Sequence, residues 1–239
     1  MNKNMRKLPK ITEEFKQQQQ QAVLDAEVIY EFEQLLERKY PFIDVIPFVI
    51  LILAATWGSF YEPFVAWVSI PTFLIVWLTY KASGNPNIEQ KVTITQKGII
   101  VSELELIPEG YFTILRATGY IVALICIVSV FYFGPMILIG AGAGALMSFQ
   151  FTGAQNEPKV RATPFNDNLD YVLSIINGRN FKNGILGYTH TFSNRDNYPQ
   201  DVRNFFSFHY SATSQQQAKM RELISREINI IFEEDLTHI

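Results

Sequence analysis

PFIDVIPFVILILAATWGSFYEPFVAWVSIPTFLIVWLTY, residues 41–80, decides how the rest of the chain is read. Asp44 and Glu62 are its only charged side chains, and neither Lys nor Arg occurs in it. A single membrane crossing takes roughly 20 apolar residues, so the run is about twice the length of one span. Gly58, Glu62 and Pro63 break its middle as a turn would. The pattern predicts a helical hairpin, with one helix near 42–58 and a second near 64–80.

A second run, ATGYIVALICIVSVFYFGPMILIGAGAGALMSFQF, covers residues 117–151 without a charge. Gly134-Pro135 interrupts it, because proline fixes its own backbone and biases the preceding residue away from helix. Helices near 112–133 and 135–151 follow, with Arg116 placed to extend its guanidinium to a headgroup layer. The fold class this implies is an integral membrane α-helical protein. It would have four short transmembrane helices in two hairpins and a small cytoplasmic α+β domain. The turns near 58–63 and 133–135 hold no basic residue, so all Lys and Arg would share one side. That bias predicts a multi-pass protein of a bacterial inner membrane with both termini cytoplasmic.

Outside those runs the chain divides into 1–40, an amphipathic N-terminal helix; 81–111, a loop carrying a β-hairpin; and 153–239, an α+β domain. The hairpins themselves occupy 41–80 and 112–152. Thr12 offers a helix cap ahead of Glu13 and Glu14. With no Gly or Pro between Thr12 and Pro41, a helix near 13–38 is expected, its stripe of Leu24, Val28, Phe32 and Leu35 forming a docking or partner-binding face. Val92–Thr95 and Ile99–Val101 flank Gln96-Lys97-Gly98 as strands flank a turn. In the last third, Asn166 or Asp167 would cap a helix bearing Leu169, Val172, Leu173 and Ile176. Strands are expected at 185–192 and 202–211. A final helix near 214–234 would carry Met220, Leu223, Ile224, Ile228, Ile231 and Phe232 on its apolar side.

The chemistry is sparse. A net charge of −3 over 239 residues, with acids and bases interspersed, gives no case for nucleic acid. The single Cys126 excludes a disulfide framework, no ligand spacing suggests a metal, and no motif asks for a cofactor. Gly140, Ala141, Gly142, Gly144 and Ala145 place small residues four apart, as helix packing or an oligomer interface in lipid requires. Asp44 lies too near a helix end, and too far from other carboxylates, for an ion-coupled transporter. His190 and His209 sit among aromatics on two expected strands, and with Tyr188 they are the one weak ligand-site candidate. No catalytic constellation is complete, so the balance is against an enzyme. The sequence reads as a non-catalytic inner-membrane scaffold or assembly subunit. Its partners would be lipids, copies of itself or other membrane-protein subunits. Two alternatives are a small membrane-bound enzyme or lipid-handling protein using Tyr188, His190 and His209, and a channel-like oligomer.

Overall fold

The computed structural model describes residues 11–39, 46–62, 77, 80, 84, 86–134, 152–177, 181–191 and 200–236. The chain forms two compact units. One is assembled from residues 1–39, 88–104 and 158–239, the other from 40–87 and 105–157.

The first unit holds two four-stranded sheets. Sheet 1 has the order β1 (Val28–Leu36), β2 (Ile88–Thr95), β3 (Gly98–Glu105), β4 (Lys159–Pro164). Its β1–β2 and β3–β4 pairs are antiparallel. The segment 28–36 is a strand because its pattern has period two as well as a helical stripe. Phe32, Gln34 and Leu36 point inward while Glu31, Glu33 and Leu35 face out. The expected 13–38 helix therefore stops early. Helix α1 covers Glu13–Leu24, with Thr12 accepting from the Phe15 amide at 3.2 Å, and Asp25 caps its end. Between β2 and β3, Gln96-Lys97 makes a two-residue turn, and the Thr95 hydroxyl accepts from the amides of Lys97 and Gly98 at 3.3 and 3.1 Å.

Sheet 2 has the order β7 (Phe208–Ala212), β6 (Ile185–Thr191), β5 (Asp170–Asn177), β8 (Asn229–Leu236). Only the β5–β8 pair is parallel. Two expectations fail here. The helix expected around Leu169–Ile176 is β5, and the long final helix is α5 (Ser214–Glu227) followed by β8. Apolar residues three and four apart also fit a continuous buried strand, and Tyr171, Val172, Leu173, Ser174 and Ile175 are all buried. The segment expected as one strand at 202–211 divides into α4 (Gln200–Phe206) and β7. A capping box at Thr213 and Gln216 opens α5. Both sheets contribute to one core, with Phe32, Val92, Ile94 and Val101 from sheet 1 and Tyr171, Phe208 and Tyr210 from sheet 2. Val202, Phe206, Met220 and Ile224 from α4 and α5 complete it.

In the second unit, α2 (Ile46–Ser59) and α3 (Glu109–Phe133) are the described helices. The expected architecture of four crossings in two hairpins is not found. Among the described residues, α3 is the one helix long and apolar enough to cross a membrane. Helix α2 has 14 residues. At about 1.5 Å per residue its described residues reach roughly 21 Å, against a hydrocarbon layer of ~30 Å. The expected spans at 64–80 and 135–151, apart from Trp77 and Tyr80, lie outside the described residues, as does the Gly140–Ala145 seam. The four-span topology, and with it the multi-pass inner-membrane localisation and its orientation, therefore does not stand. Arg116, expected to reach for headgroups, pairs with Glu109 at 2.6 Å and donates to the Ala154 carbonyl at 3.4 Å.

Candidate interaction face

Register places the sequence-predicted residues of sheet 2 on one face. His209 of β7 lies opposite Tyr188 of β6, Tyr188 opposite Ser174 of β5, and Ser174 opposite Glu234 of β8. The next row runs His190, Val172, Phe232. Directly opposed residues share a face of the sheet, so Tyr188, His190, His209, Phe232 and Glu234 all project the same way. The rings of Tyr188 and His190 stack at 5.2 Å with 22° between planes. Tyr188 is 38% exposed and Phe232 53%. The result is an aromatic patch over buried Val172 and Ser174, edged by a carboxylate. Helices α4 and α5 pack on sheet 2 as well: the Gln217 amide of α5 donates to the buried Tyr210 hydroxyl at 3.1 Å. Gly187 is required beside that ring, because a Cβ there would stand 2.5 Å from Tyr210 Cζ.

Toward β7 the face is closed by sheet 1 through a chain of polar contacts. Arg161 of β4 pairs with Glu103 of β3 at 2.6 Å, and its other terminal nitrogen lies 2.9 Å from His209 Nε2. An arginine can only donate, so the imidazole accepts there and is neutral. Glu103 also accepts from the Gln90 amide at 3.0 Å, and Gln90 Oε1 accepts from the Ser211 backbone amide at 2.8 Å. Sequence reasoning missed Arg161, Glu103 and Gln90. They lie on three strands of another sheet, and nothing in their local pattern links them to His209. Burial and the Arg161 charge push the His209 pKa down, with Glu103 opposing. Burial likewise lowers that of His190 against the pull of Glu234.

At the far end, residues 181–183 fasten onto β1. Asn183 donates to the Leu35 carbonyl at 2.5 Å and accepts from the Glu37 amide at 2.9 Å, while the Arg38 guanidinium sits 4.8 Å from the Phe181 ring centre. Gly184 follows with φ of 93°, a left-handed turn position that glycine occupies without strain. The stripe Leu24, Val28, Phe32, Leu35 does not form a surface. Phe32 is in the core, and the other three are exposed at the end of α1 and on β1. Among the described residues no group of three or more His, Cys, Asp or Glu could hold a metal. What the face offers is shape, aromatic area and charge, which suits recognition of another molecule.

Comparison with known proteins gives the chain its setting. Residues 11–207 match the family model described as TsiV2 immunity protein. A curated relative, immunity protein TsiV2 of Vibrio cholerae serotype O1, is 29% identical over 77 residues. That alignment covers 32% of this chain and 32% of the relative, so the chain spans about a third of the length of the curated relative it matches. No solved structure matches the chain. These matches overturn the reading of an inner-membrane scaffold, and with it the enzyme and channel alternatives. They also overturn the expected partners, lipids and membrane-protein subunits. The family model matches most of the chain, and none of the short motifs read from the sequence pointed to it.

Proposed function

The chain belongs to the TsiV2 immunity protein family, and on that premise we propose that it protects its cell against a cognate type VI secretion effector by binding that toxin. The observation that carries the reading is the family match over residues 11–207. Binding without catalysis accords with the family's typical character. It also accords with the candidate face, where His209 is held by Arg161 rather than poised beside a nucleophile. Buried anchors with exposed aromatic rings are what concentrates binding energy at protein interfaces. Tyr188, stacked on His190, and Phe232 are such rings.

Competition between sibling strains tests this. The parent strain, with active secretion, is the attacker, and a mutant lacking this chain is the prey. The mutant should be killed, survive when secretion in the attacker is disabled, and survive again when the chain is restored. Equal survival of mutant and parent prey would refute the proposal.

A further inference from the structure

The four outer strand edges of the first unit are not alike. The free side of β1 is met by residues 181–183, with the Lys182 amide donating to the Glu37 carbonyl at 2.8 Å. Helix α1 packs against β4. Strand β7 has five residues, and Gln90 takes the Ser211 amide. Strand β8 has eight residues, and among the described residues only β5 pairs with it. Proteins defend such edges with charged side chains, proline or bulges. The sequence NIIFEEDL has no lysine and no proline, and a register shift beside Ile231 is its one irregularity. It exposes Ile231 and Phe232, and its charges, Glu233, Glu234 and Asp235, are all of one sign, which opposes a like strand and favours a basic one. Beside it lies a groove of about 400 Å³, lined by Arg221, Ser225, Ile228, Ile230, Phe232 and Glu233. Glu233 binds Arg221 through one oxygen at 2.6 Å, and its other oxygen is buried with no hydrogen-bond partner.

We propose that an extended, basic segment of the toxin adds to sheet 2 along β8 as a fifth strand. Main-chain hydrogen bonds would supply affinity, and alternate side chains would set specificity by reaching the groove and the acidic residues. The charge selects the occupant. A second copy would bring another three carboxylates and no cation to the same strand, whereas a lysine- or arginine-bearing segment meets them with opposite charge. The inference rests on the immunity reading for the identity of the partner.

The test uses the full chain and an end-blocked, fluorescein-labelled peptide of four Lys-Val repeats. Fluorescence anisotropy should show binding at least about tenfold tighter than to a Glu-Val peptide, a difference of about 1.4 kcal/mol. It should also be at least about tenfold tighter than to the chain carrying Phe232→Lys and Glu234→Lys. An N-methylated Lys-Val peptide keeps the charge but loses main-chain donors, and it should bind as weakly as the Glu-Val peptide. Ile231→Lys is the second variant if the pair lowers the melting temperature. Equal binding by the methylated peptide or by the variants overturns the proposal, as does self-association of the wild-type chain that the variants abolish. In the strain competition, the variants at wild-type abundance should fail to rescue the prey. Full rescue by them, with rescue by wild type, overturns the edge-strand inference and leaves the immunity reading intact. Failure of the wild-type chain to rescue overturns the immunity reading and the toxin as occupant.

Discussion

Gln90 carries more of the architecture than its type suggests. It is 2% exposed, and its two polar atoms join Glu103 of sheet 1 to the Ser211 amide of sheet 2. Gln90→Ala would leave a buried backbone donor without a partner, which costs about 1–3 kcal/mol. Urea denaturation should show that loss, and an unchanged midpoint would mean that water replaces the amide freely. His209 makes a different prediction. Its pKa in the folded chain lies below the unfolded value of 6.5, through burial first and Arg161 second. Between those values the unfolded chain binds more protons, so stability is full above the unfolded pKa and is lost as pH falls through it toward the folded one. His190 is shifted the same way by burial and adds to the effect. The melting temperature should fall between about pH 7.5 and pH 5.5. His209→Gln, which keeps an acceptor for Arg161, should reduce that fall. An identical pH profile in the variant would remove His209 from the account.

At the scale of elements, β1 separates two readings of one segment. Leu24, Val28, Phe32 and Leu35 fit a helical face, but Tyr30, Phe32, Gln34 and Leu36 fit a strand, and local pattern alone does not choose between them. The choice is made by β2, whose Val92 and Gln90 stand opposite Phe32 and Gln34. Such long-range pairing is invisible in any short window. The structure therefore predicts unequal costs along the old stripe. Phe32→Ala should cost about 3–5 kcal/mol as a core truncation. Leu35→Ala, at a residue 45% exposed, should stay within about 0.5 kcal/mol. Similar losses at both positions in thermal melts would restore the helix. By contrast, Gln96-Lys97 between β2 and β3 was legible, because β-branched strands around a glycine-bearing turn admit few other readings. Tyr188 and His209 could be named together, since both fall on aromatic strands that pair. Their partners Arg161 and Glu103 could not, since a different sheet supplies them.

The whole molecule explains why apolar length misled. Leu36 pairs with Ile88, and Glu103 pairs with Lys159, so each apolar run leaves and rejoins sheet 1 between adjacent antiparallel strands. The two runs are insertions into two hairpins of one meander, and hydropathy records their length but not that their ends meet. Sheet 1 should then not need them to fold. Replacing residues 40–86 and 106–157 with short glycine-containing turns keeps the Glu37 and Arg38 contacts to residues 181–183. It also retains every strand of both sheets. Each connection becomes roughly tenfold shorter, which lowers its closure cost by about 2 kcal/mol. The shortened chain should melt in one cooperative transition, with slow amide exchange on β2, β3, β5 and β6, the inner strands of the two sheets. Strand amides that exchange as fast as in denaturant would show that the first unit depends on the inserted runs for its stability, and would refute the division into a self-sufficient two-sheet body with two insertions.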